Sequence, residues 1–172
     1  MEDIHEQYQK AGELHGHYCP GLAIGVRAAV IAKDLLHIED IQSHGIFCVA
    51  ENLACYIDGI QALCGCTFGK GNLIYRPTGK TAFSFYNNDI GKSLRLVMKG
   101  FPEKLDRPQM TEYVLTAPAD EVFSIGDVRF PLPEVPGRRP ALRCSVCGEE
   151  TSEDKLRIRD GKPICLDCAG LL

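Results

Sequence analysis

The chain has 172 residues, 45% of them hydrophobic and 24% charged, enough apolar surface for one folded domain with a small appendage and too much for a disordered chain. A net charge of −4, from 19 basic and 23 acidic side chains, disfavours nucleic acid as a partner. Nine cysteines, an odd number, fit poorly with a secreted disulfide framework. The charged, amphipathic start does not resemble a signal peptide, and no stretch has the length of a membrane span. The expectation is a reduced, cytoplasmic protein, without a membrane partner, whose cysteines bind metal or do chemistry.

In chain order, Ile4, Tyr8, Ala11 and Leu14 recur at helical spacing and predict a first helix. Leu22, Val26, Ala29, Val30 and Leu36 predict a second over residues 21–36, and the apolar run 46–50 a buried strand. A third helix is expected over 54–63. Residues 72–76 and 81–86 read as strands joined by the turn residues Pro77-Thr78-Gly79-Lys80, hence as a hairpin. Leu94, Leu96 and Met98 place another strand at 93–98, and residues 108–123 read as helix interrupted near Pro118. Strands bunched after helices favour an α+β layer fold. Four prolines between residues 131 and 140 mark a semi-rigid linker, dividing the chain into a main domain (1–130) and an appendage (141–172).

The appendage carries Cys144-x-x-Cys147 and Cys165-x-x-Cys168, the spacing of a four-thiolate zinc ribbon. Two residues between thiolates let one knuckle offer both sulfurs to a tetrahedral ion. Leu156 to Arg159, the turn Asp160-Gly161 and Lys162 to Ile164 form a hairpin between the pairs. Four thiolates close the coordination sphere, so this zinc is structural. Residues 138–172 hold seven basic and six acidic side chains. Four thiolates and a divalent ion take that to about −1, a poor footprint for DNA or RNA.

The main domain holds a second constellation. His15, His17 and Cys19 alternate before Pro20-Gly21, which opens the second helix and sets Cys19 beside its positive end, where a thiol ionises more readily. Imidazole and thiolate together suit zinc or a similar ion. On the third helix Cys55 and Asp58 share a face, with Gln61 at its edge. The segment from Gly65 to Asn72 fails as a phosphate loop, because Cys64 and Gly71 stand at its first-glycine and hydroxyl positions. It reads instead as a glycine turn exposing Cys66 and Lys70. Cys48 and Cys64 lie in apolar runs and read as packing residues.

These segments, His15 to Gly21, Glu51 with Cys55, Asp58 and Gln61, and Gly65 to Leu73, together resemble the E-subunit family of formylmethanofuran dehydrogenase over roughly residues 10–100. The resemblance implies an α-β-α-β-β-β mixed-sheet core, similar in shape to the catalytic domain of glyceraldehyde phosphate dehydrogenase, and a homodimer. It implies His17, Cys19 and Cys66 as metal ligands, with Cys55 and Asp58 near them and His15 a ligand or its support. It associates the chain with a molybdenum or tungsten redox enzyme, although no pterin domain, iron–sulfur run or dinucleotide fingerprint is present.

The leading reading is a dimeric metal-binding protein with a structural zinc ribbon. Its second metal, zinc or similar, would be held by His17, Cys19, Cys66, Cys55 and His15 beside a cleft for a small molecule or metal group. Cys19, Asp58 and Lys70 would be the reactive groups: thiolate, proton acceptor and anion clamp. The alternative is a non-catalytic adaptor docking a larger redox enzyme complex. Thiol redox catalysis at Cys19 ranks third, since the main domain has no Cys-x-x-Cys.

Overall fold

The computed structural model describes residues 3–134 and 139–172. It divides the chain into two compact units, Met1–Pro133 and Glu134–Leu172. Part of the proline-rich segment expected as a linker lies outside the described residues.

The first unit is α+β. Helices α1 (Ile4–His15) and α2 (Pro20–Leu35) precede strand β1 (Ile46–Ala50), helix α3 (Tyr56–Cys64) and strands β2 (Leu73–Tyr75), β3 (Ala82–Asn87) and β4 (Lys92–Met98). Helices α4 (Arg107–Thr116) and α5 (Ala119–Val122) lead into strand β5 (Phe123–Gly126). The sheet order is β2-β1-β3-β4-β5, parallel between β1 and β2 and antiparallel elsewhere.

Strand alternation separates two faces. Cys48, Ala50, Phe83, Phe85, Leu94 and Leu96 pack with the helices in one core that also holds Leu22, Val26, Ile60 and Leu115. Val49, Ser84 and Arg95 lie in register on the other face. There Tyr86 Oη donates to Phe130 O at 2.8 Å, and Arg76 stacks 4.4 Å above the Phe130 ring.

One expectation changes. The segments 72–76 and 81–86 are not a hairpin: β1 lies between them. Helix α3 makes β1–α3–β2 a parallel crossover. The turn residues expected to close a hairpin instead wrap the end of β1. Arg76 N donates to Ala50 O at 2.9 Å, and Thr78 N and Gly79 N to Glu51 O at 3.2 and 2.9 Å. The helix expected over 108–123 with a break near Pro118 is present as α4 and α5, Ala117 being extended ahead of Pro118, and Phe123–Gly126 adds an edge strand.

Helices α2 and α3 cross at two glycines. A side-chain carbon on Gly25 would lie 2.0 Å from Tyr56 O, and one on Gly59 2.6 Å from Val26 N. Only glycine at both positions permits this backbone approach. It brings the start of α3 against the start of α2, where the site lies.

In the second unit, β6 (Ala141–Arg143) pairs with β7 (Glu150–Ser152), and β8 (Leu156–Arg159) with β9 (Lys162–Cys165). The β8–β9 turn has positive φ at both Asp160 (52°) and Gly161 (74°), the tight hairpin geometry that Asp-Gly favours.

Candidate metal centres

The first centre is assembled by three helix ends. Helix α1 closes on Gly16 in the left-handed conformation, φ 83°, which turns the chain back so that His15 and His17 stack with ring centroids 4.2 Å apart. Two residues on, Cys19 is the N-cap of α2. Its backbone is extended and its Sγ accepts the Leu22 N–H at 3.3 Å. Tyr8 Oη donates to Cys19 O at 3.1 Å, fixing this residue to α1. Cys55 stands at the N-cap position of α3. One ligand atom from each of His15, His17, Cys19 and Cys55 lies within 4.8 Å of all the others.

The supporting groups are equally specific. Asp58 Oδ2 lies 2.6 Å from His15 Nδ1, and Gln61 Nε2 donates to Asp58 Oδ1 at 3.0 Å. A carboxylate at Nδ1 holds the proton there and leaves Nε2 with a lone pair. That Nε2 is buried and has no hydrogen-bond partner among the described residues. A buried, orphaned imidazole nitrogen in a cluster with two thiols fits a metal ion. Burial, reinforced by Cys19, pushes the Cys55 thiol up, so a cation would be needed to hold it as thiolate.

Two expected residues stand elsewhere. Cys66 does not join this group: it is buried, with Sγ 3.8 Å from Ile46 O, and burial pushes its thiol up to about 12. Its neighbours are Cys48 and Cys64, both buried thiols raised by burial. Lys70 is tied to the backbone, its Nζ donating to Gly65 O at 3.0 Å and Ile41 O at 3.4 Å. The glycine turn thus faces the start of β1 and the loop before it. The residue-type signal was sound but could not show which way that turn points.

A third cluster escaped the sequence reading. Glu51 is buried on the sheet face opposite the helices. Its Oε1 accepts Arg95 Nε at 2.8 Å and Nη2 at 2.5 Å, and its Oε2 accepts Thr78 Oγ1 at 2.6 Å. Burial raises this carboxyl, but Thr78 and Arg95 outweigh it and hold the group below its ordinary value. Only the outward parity of Arg95 hinted at it.

In the second unit the sulfurs of Cys144, Cys147, Cys165 and Cys168 all lie within 4.8 Å of one another. Each knuckle offers backbone N–H groups to sulfur: Val146 N to Cys144 at 3.4 Å and Cys168 N to Cys165 at 3.4 Å, with Cys165 N reaching Cys144 at 3.3 Å. The N–H groups of Cys165 and Cys147 pull the Cys144 thiol down to about 6, while hydrogen bonding with Cys165 pushes Cys168 up to about 12. Such N–H to sulfur bonds suit thiolates around one tetrahedral ion.

The fold and these clusters define a metal-binding α+β protein with a C-terminal zinc finger. The chain belongs to the FmdE family, described as "Molybdenum formylmethanofuran dehydrogenase operon", whose family model matches residues 14–124. Residues 137–171 match the prokaryotic dksA/traR C4-type zinc finger, which suggests zinc as the structural ion there. A protein of Syntrophus aciditrophicus described as "tungsten formylmethanofuran dehydrogenase subunit e (fmde)-like" has a similar fold. Its TM-score is 0.70 at 23% identity, over 97% of this chain and 92% of that one. A protein of Archaeoglobus fulgidus described as "Probable S-adenosyl-L-methionine-binding protein" is 32% identical over 197 aligned positions. The alignment takes in 94% of this chain but 52% of the relative, so the chain spans about half that protein's length. No helix among the described residues is long and apolar enough to cross a membrane.

Proposed function

We propose that the first unit holds a metal ion, zinc or one of similar softness, on His15 Nε2 and the sulfurs of Cys19 and Cys55. His17 is the replaceable fourth ligand, and the site binds a small molecule at that position. The observation that carries this is the buried, unpaired Nε2 of His15, in a residue backed by Asp58 and Gln61 and clustered with both sulfurs. His17 is the exposed member of the four. Three buried or half-buried donors with one exposed is the arrangement of an exchangeable site. Such an ion would supply Lewis acidity to a bound ligand. The chain's own residues do the rest: Asp58 keeps the proton on His15 Nδ1, and the Leu22 N–H donates to the Cys19 sulfur and fixes its position. The working unit is a cytoplasmic homodimer, with a redox enzyme as partner where chemistry follows.

One observation favours a second reading. Two imidazoles and two thiolates are enough donors to complete a tetrahedron. Both metals would then be structural, and the protein an adaptor for a larger redox complex.

Metal analysis of purified wild-type and His17→Ala protein separates the two. The proposed site predicts more than one ion per protomer in wild type. In His17→Ala the ion is retained, with a raised rate of exchange against a mild chelator. A wild-type count of one removes the site, and loss of the second ion in His17→Ala supports the adaptor.

A further inference from the structure

Beside the His/Cys cluster lies a groove of about 460 Å³, walled by Ile24 of α2, Tyr56 of α3, Val97 and Met98 of β4, and Phe101 beyond it, with Lys80 and Thr81 at the turn before β3. Mainly apolar walls with a few polar groups, at this volume, are the composition of a small-molecule site. Three features describe its occupant. The exposed Lys80 ammonium helps to lower the Glu51 carboxyl by its charge but makes no hydrogen bond or ion pair among the described residues, Glu51 being engaged by Thr78 and Arg95. The Tyr56 hydroxyl is buried without a hydrogen bond of acceptable geometry, Thr81 lying beside it. Gly21 lines the groove and also touches the cluster: a side-chain carbon there would lie 3.2 Å from Cys55 Cβ and 3.7 Å from the sulfurs of both Cys19 and Cys55. The absence of a side chain at this one residue leaves groove and cluster adjoining.

We propose that this groove binds a small carboxylate with an apolar body, its charge on Lys80, its body on Ile24, Val97, Met98 and Phe101, and one part over Gly21 beside the Cys55 sulfur. Placement beside a metal rests on the reading above; binding in the groove does not. A lysine without a hydrogen-bond partner among the described residues, at the edge of apolar walls, selects an anion over its uncharged analogue.

Calorimetric titration of the full chain with octanoate, and with octan-1-ol as the uncharged analogue, tests the groove. Octanoate is expected to bind more tightly than the alcohol. Lys80→Gln, a change at an exposed residue, is expected to weaken octanoate about fivefold and leave the alcohol unaltered. Equal affinities in wild type, or an unchanged octanoate affinity in Lys80→Gln, overturns the proposal. So does a groove covered by a second copy: no octanoate binding in wild type, with Phe101→Ser converting an oligomer to a monomer in sedimentation. Cobalt(II) loading reads the placement, through the visible bands present in wild type and missing in Cys19→Ala. A shift of those bands at saturating octanoate supports it, and fixed bands overturn it. Absence of any Cys19-dependent band refutes the metal reading, while the calorimetric comparison still decides the groove.

Discussion

Asp58 supports the candidate metal centre without standing among its four candidate donors. Its carboxylate fixes the His15 tautomer from 2.6 Å, and Gln61 fixes the carboxylate in turn. Partners of this kind typically account for a factor of 10–100 in metal affinity. Asp58→Ala should therefore weaken the first centre by about that factor in chelator competition, with circular dichroism unchanged. An unaltered affinity would leave Asp58 a surface residue. Glu51 makes the opposite kind of contribution, to the fold. Its carboxyl lies below its ordinary value, so its stabilisation is complete above about pH 4.5 and is lost as pH falls through the lowered value. Glu51→Gln leaves the buried Arg95 guanidinium without its counter-charge, at a cost of about 3–5 kcal/mol near neutrality. In urea unfolding the variant should lose that stability at pH 7, and the gap to wild type should narrow as pH falls below about 4.5. A gap constant from pH 7 to pH 3 would show that the pair is not what holds the turn at Thr78.

At the scale of elements, the site depends on how closely two helices cross. Gly25 and Gly59 let the α2 and α3 backbones touch, and this sets Cys55 against Cys19. Gly25→Ala forces a methyl into the space held by Tyr56 O. It should cost about 1–3 kcal/mol by overpacking and release metal from the first centre while the zinc finger keeps its own. Retention of both metals at wild-type stability would show that α3 shifts without opening the site. Neither glycine stands out in the sequence, because a helix interior gives no local reason for glycine; the reason lies on the other helix. Elements fixed by local periodicity were legible: α1, α2, α3, β1, β3 and β4 lie close to where their apolar spacing puts them. What the spacing lacks is sheet order. The strand β2 looked like half of a hairpin because turn residues follow it, yet those residues bond to the carbonyls of β1 and Glu51. The site divided in the same way. The His-x-His-x-Cys run and Cys55 were legible as donors and are brought together, whereas Cys66 offered a donor of the right type on a turn directed into the core. The Asp-Gly turn and both Cys-x-x-Cys knuckles were fully local, and the β8–β9 hairpin and the four-cysteine cluster could be read from them, whereas the β6–β7 pair could not.

The whole molecule joins two units that hold themselves together by different means. In Met1–Pro133 a continuous core runs from Tyr8 through the helices and sheet to Phe123. In Glu134–Leu172 the buried apolar cluster is Cys144, Leu156 and Cys165, with Ile164 and Cys168 packed against it. Two of its three buried members are candidate metal ligands, so little apolar surface remains to offset chain entropy, and folding there is expected to draw on metal binding. The first unit has no such need, since its core is complete without its candidate metal. A strong chelator should therefore abolish amide protection in β8 and β9 while α2 and β3 stay protected in hydrogen exchange. A chain ending at Pro133 should keep a cooperative thermal transition within a few degrees of the full-length one. If the truncated chain does not fold, or if chelation unfolds both units together, the two are one cooperative body. The candidate site on α2 and α3 would then take part of its stability from the zinc finger.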